Sequence, residues 1–116
     1  MSRFQQGRPI IVCLCGSTRF REAFERVNRQ ETLAGKIVLA PGCFQGDDDS
    51  DWSSEVKQRL DELHLRKIDL ADVVYILNVG GYIGLSTRRE IGYARQQGKR
   101  VRWLESGVCE DDEDVV

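Results

Sequence analysis

A chain of 116 residues has room for one domain, and a net charge of −2 lacks the basic excess that a surface for nucleic-acid polymers needs. Hydrophobic residues make up 41% and charged residues 31%, which suits a globular protein, and no stretch is long and apolar enough to cross a membrane. The start, "MSRFQQGRP", has no signal-peptide core; of the four cysteines (Cys13, Cys15, Cys43, Cys109), the pair Cys13 and Cys15 lacks the second ligand pair of a zinc site, and the expectation is a cytoplasmic chain with no metal and no organic cofactor.

"RPIIVCLCGS" opens at Pro9, runs apolar and stops at Gly16, the pattern of a strand buried on both faces. On it Cys13 and Cys15 point the same way and read as small buried residues. In "TRFREAFERVNRQETLAGK", Phe20, Ala23, Phe24 and Val27 recur at helical spacing, and Gly35 ends the helix. "KIVLAPG" reads as a second buried strand. "CFQGDDDSDWSS" is a long acidic loop flanked by Phe44 and Trp52, and a loop this long in a small domain is more often functional than idle.

A second helix follows in "SSEVKQRLDELHLRKIDLA", capped by Ser53 or Ser54, with Val56, Leu60, Leu63, Ile68 and Ala71 on its packed side. His64, the lone histidine, shares a stripe with Leu60, Ile68 and Ala71 and so faces inward, as a structural residue or as a functional one. "DVVYILN" is a third strand, "STRREIGYARQQGK" a third helix closed by Gly98, and "RVRWLE" a fourth strand. An acidic tail starts at about residue 106. Strands alternating with helices predict an α/β fold: one three-layer Rossmann- or flavodoxin-like domain over residues 1–116, with a parallel sheet of four to five strands. Ligands of such sheets sit at the carboxyl ends of the strands, which directs attention to "GSTR", "APGCFQG" and "NVGGYIGLSTRRE".

Gly16, Ser17, Thr18 and Arg19 form either an anion site at a helix start or a plain turn in which Ser17 or Thr18 caps the helix. Gly84, Ser86 and Thr87 repeat the choice before the third helix. Thr87 and Glu90 have the spacing of a capping box, which leaves Glu90 either a cap or a chemical group at the mouth of the sheet.

"VCLCGSTR", "ADVVYILN" and "STRREIGYARQQGKRV", in this order and spacing, resemble the nucleoside 2-deoxyribosyltransferase-like superfamily, in particular its nucleoside 5′-monophosphate N-glycosidase branch, from about residue 10 to 104. The resemblance implies cleavage of the N-glycosidic bond of a nucleoside or nucleoside 5′-monophosphate, by hydrolysis or 2-deoxyribosyl transfer, with Glu90 as nucleophile on the first turn of its helix. The family's helix-borne aspartate lies eight residues before the one matched by Asp72, and this chain has His64 there, an imidazole able to do an acid's work. A tyrosine common on the family's first strand is Cys13 here. Ser17, Thr18, Arg19 and Ser86 are the expected phosphate contacts, Asn78 a sugar contact, and Phe44 and Trp52 the base pocket. The implied partners are a small-molecule nucleoside or nucleotide and further copies of the chain, as a homodimer or larger. Two other functions fit the same loops: a non-catalytic nucleotide-binding or sensing module, and a phosphoribohydrolase of the cytokinin-activating type, whose glycine-rich motif "GGYIGLSTRRE" partly resembles.

Overall fold

A computed structural model describes residues 7–44 and 52–106. The expected strands and helices appear in the expected order, β1 (Ile11–Cys15), α1 (Arg21–Leu33), β2 (Ile37–Leu39), α2 (Ser54–Leu70), β3 (Val73–Ile76), α3 (Leu85–Gln96) and β4 (Arg100–Trp103), with a 3₁₀ turn (Val79–Gly81) added between β3 and α3. The acidic loop at 45–51 and the tail beyond 106, with Cys109, lie outside the described residues. The four strands are all parallel in the order β2-β1-β3-β4, so the chain is an α/β domain of the Rossmann- or flavodoxin-like kind.

Side-chain alternation along β1 divides the core. Val12 and Leu14 face α1 and pack with Ala23, Phe24, Val27, Tyr75 and Leu77. Cys13 and Cys15 face the other way and pack with Ile68, Ala71, Val74, Ile76, Ile91 and Ala94, the inner sides of α2, β3 and α3. After β1 the chain steps to one side to make β2, then returns past β1 to make β3 and β4. With right-handed crossovers such a reversal puts helices on both faces of the sheet, and it opens a crevice at the carboxyl ends of β1 and β3.

At the other end of these strands, Asp72 joins β3 to β1. Its carboxylate accepts the Ile11 amide at 2.8 Å and both ends of the Arg8 guanidinium at 2.7 and 2.9 Å. The guanidinium and the backbone donor hold its pKa down at about 2.

Two packing expectations need correction. Among the described residues β2 is an edge strand and not a buried one; it pairs there only with β1, and Ile37 stays 42% exposed. Leu63 is 50% exposed, because its side of α2 borders a cavity instead of the sheet. Of the two candidate caps for α2, Ser53 is the one used, its hydroxyl accepting the Val56 amide at 3.2 Å.

Gly16 ends β1 where the backbone of β3 comes close, and a methyl group there would stand 3.0 Å from the Leu77 carbonyl oxygen and 3.3 Å from Leu77 Cβ. Gly16→Ala is therefore expected to cost about 1–3 kcal/mol, read in denaturant unfolding. The Asp72 contribution follows a depressed carboxyl pKa, so it is present above about pH 4 and lost as the pH falls towards 2. Asp72→Asn is expected to lower the melting temperature at pH 7 and to leave it nearly unchanged at pH 2.

Candidate functional site

The crevice is a cavity of about 620 Å³ bounded by the turn after β1, the segment after β2, the stretch of α2 from Lys57 to Lys67 and the start of α3. Its floor carries the two side chains singled out in the sequence. His64, from α2, and Glu90, from α3, approach to 4.0 Å between Nε2 and Oε1, and their side chains are only 9% and 14% exposed. The stripe of α2 that carries Ile68 and Ala71 into the core brings His64 over the sheet one turn earlier.

Glu90 is no cap. α3 begins at Leu85 with Gly84 as its N-cap and no side-chain cap bond, so Thr87 lies inside the first turn, 3% exposed, and Glu90 falls in the second turn. The capping box and the first-turn position expected from the spacing are both displaced, because the helix starts earlier than the hydroxyl residues suggest. Gly84 lets the chain pass tightly under Tyr82, whose hydroxyl would lie 3.2 Å from a methyl group there.

Beneath His64 and Glu90 lie the two thiols of β1. His64 Nε2 is 3.3 Å from Cys15 Sγ and 3.8 Å from Cys13 Sγ, and all three residues are buried. The charges in this group are coupled. Burial, the largest influence, lifts the Glu90 carboxyl to about 7, against the partial relief given by His64 and by hydrogen bonding from Cys15. Burial disfavours the imidazolium, but the Cys13 sulfur and the Glu90 carboxylate outweigh it and raise the His64 pKa. Hydrogen bonding from Cys15 draws Cys13 down to about 6, and Cys15 is driven up in return. Near neutral pH the carboxyl is thus poised between its two forms beside an imidazole that favours its charged form.

The rim collects most of the other expected residues. Ser17, Thr18, Arg19, Trp52, Gly84, Ser86 and Thr87 all line the cavity. Neither Ser17 nor Thr18 caps α1, whose N-cap is Phe20 without a side-chain bond; the Ser17 hydroxyl accepts the Arg19 amide instead, at 3.3 Å. Three expected residues lie elsewhere. Asn78 is fully buried and exchanges two hydrogen bonds with the Glu105 backbone, at 2.9 and 3.0 Å, tying the segment after β3 to the one after β4. Phe44 packs edge-on against Phe24 at 5.3 Å on the α1 side of the sheet. Gly16 serves the close approach of β1 to β3 and does not line the cavity.

Tyr82 is the rim residue that sequence reading missed. Its hydroxyl accepts a hydrogen bond from Arg19 at 3.3 Å, the Arg19 guanidinium carbon stands 4.5 Å from its ring centroid, and Phe20 meets it edge-on at 6.0 Å. Arg19 is thereby held at the mouth beside the exposed start of α3, where helix amides favour an anion. The ring stands among glycines in "GGYIG", a pattern that encodes a turn but not the contact of the ring with Arg19.

Comparison with protein-family models and with curated proteins gives no match for this chain. The site is therefore read from its own geometry. Among the described residues no helix is long and apolar enough to cross a membrane.

A carboxyl whose folded pKa is raised destabilises the fold once it ionises, so its effect grows as the pH climbs from about 4.5 to 7. Glu90→Gln is expected to melt close to the wild type at pH 4.5 and above it at pH 8, by an amount of roughly 2–3 kcal/mol. Paired thermal melts across this range measure the difference.

Proposed function

We propose that this protein cleaves the N-glycosidic bond of a nucleoside or nucleoside 5′-monophosphate, with Glu90 as nucleophile. The observation that carries the reading is the 4.0 Å approach of Glu90 to His64 on the floor of a cavity rimmed by Arg19 and the start of α3.

The ionised Glu90 carboxylate attacks the anomeric carbon while the carbon–nitrogen bond to the base breaks, its electron pair leaving with the base. His64, protonated, gives its proton to the departing base nitrogen. The glycosyl ester on Glu90 is then opened by water, which loses its proton to the now neutral His64, or by a second base in the transfer variant. Burial has a cost and a use here. It leaves a share of Glu90 protonated at neutral pH, and it strips water from the nucleophile and strengthens its attraction to the developing positive charge on the sugar. Ser17, Thr18, Arg19 and Ser86, with the first amides of α3, hold the phosphate, and Trp52 and Tyr82 offer rings to the base. The partner is a small molecule. Reduced thiols at Cys13 and Cys15 suit the cytoplasm, and the exposed side chains of Leu63 and Leu85 at the mouth suit a homodimer or larger assembly.

The test is release of free base from a panel of ribo- and deoxynucleosides and their 5′-monophosphates, followed by chromatography. Glu90→Ala is expected to abolish release. Arg89→Ala, a solvent-facing change, is expected to leave it intact. His64→Ala is expected to slow it by about 10²–10⁴-fold, with His64→Asp retaining more. Saturable nucleotide binding without release overturns the enzyme reading in favour of a sensing module.

A further inference from the structure

We propose that Cys13, Cys15 and His64 form a three-ligand site for a zinc ion beneath the cavity floor, with Glu90 beside the open fourth position. The two thiols and the Nε2 atom all lie within 4.8 Å of one another. Tetrahedral zinc with sulfur ligands at about 2.3 Å and nitrogen at about 2.0–2.1 Å sets a sulfur–nitrogen separation of roughly 3.5 Å. The observed separations of 3.3 and 3.8 Å straddle that value, so the ion seats with side-chain adjustment alone.

The elements that present the ligands are rigid. Cys13 and Cys15 are alternate residues of a central strand, and His64 is on a helix packed against it. Two thiols and one imidazole form a soft to borderline donor set that favours zinc over calcium or magnesium. The ion enters through the cavity, which His64 and Glu90 line while the thiols lie behind them. Binding replaces two S–H bonds by two sulfur–zinc bonds and releases both protons to solvent. Three protein ligands with one open position is the arrangement of catalytic and exchangeable zinc rather than of closed structural sites. On the glycosidase reading above, on which this clause alone rests, zinc holds the His64 lone pair and silences the proton donor.

The experiment adds cobalt(II), then zinc, to the chelator-treated full chain. One equivalent of cobalt is expected to produce tetrahedral visible bands with thiolate-to-cobalt charge transfer in the near ultraviolet, and one equivalent of zinc to bleach them with a dissociation constant below about 1 µM. Cys43→Ser, which alters an exposed thiol that is not one of the three clustered ligands, is expected to keep the spectrum, whereas Cys15→Ser and Cys13→Ser lose the charge-transfer band. Binding without charge transfer in the wild-type chain, or a zinc constant weaker than about 100 µM, overturns the proposal even if the serine variants fail to fold. None of these readouts involves base release, so the fate of the glycosidase reading and that of the zinc site are separable.

Discussion

The structure turns on the alternation of one strand. β1 sits between β2 and β3, and successive side chains go to opposite layers: Val12 and Leu14 to α1, Cys13 and Cys15 to α2 and α3. Because the strand order reverses at β1, the same strand also ends at the crevice. The thiols, the imidazole and the carboxyl meet because the strand face that carries Cys13 and Cys15 is the face on which α2 and α3 must lie. Shifting the register of β1 by one residue would put Leu14 beneath His64 and thiols against Phe24.

The meeting is energetically expensive. A carboxyl lifted to about 7 and an imidazole in the same buried corner are groups that an apolar core would exclude, and the surrounding packing of Ile68, Val74, Ile76 and Ile91 offsets them. The charged groups at the opposite end of the sheet behave differently. Asp72 meets Arg8 at the surface and stabilises the strand starts without any such burden. One end of the sheet is thus built for holding, and the other tolerates instability at a cavity, as sites of chemistry commonly do.

The element order, the parallel sheet and the two inward residues were legible because they rest on periodicity: apolar runs bounded by Gly16 and Pro41, and the spacing of His64 to Ile68 and Ala71. What failed rests on geometry that no local pattern encodes. Thr87 and Glu90 satisfy the spacing of a capping box, but the tight passage of Gly84 beneath Tyr82 starts the helix at Leu85. Asn78 follows a strand end, as a ligand contact does, yet the parallel neighbour β4 delivers the Glu105 backbone to it first. Phe44 and Trp52 flank the same loop, but only Trp52 returns to the mouth, since α2 begins just beyond it and β2 turns Phe44 towards α1. The short edge strand β2 looked buried because its sequence is apolar, and apolar composition alone does not reveal how many neighbours a strand has.

The pairing of Arg19 with Tyr82 shapes what an anion would meet at this mouth. The guanidinium rests on a phenol ring, and among the described residues no carboxylate pairs with it, so an anion would have no such ion pair to break. The ring braces this exposed cation, so less orientational freedom would be surrendered on binding an anion. An approach to this mouth driven by charge would be long-range, and its rate would fall as ionic strength rises.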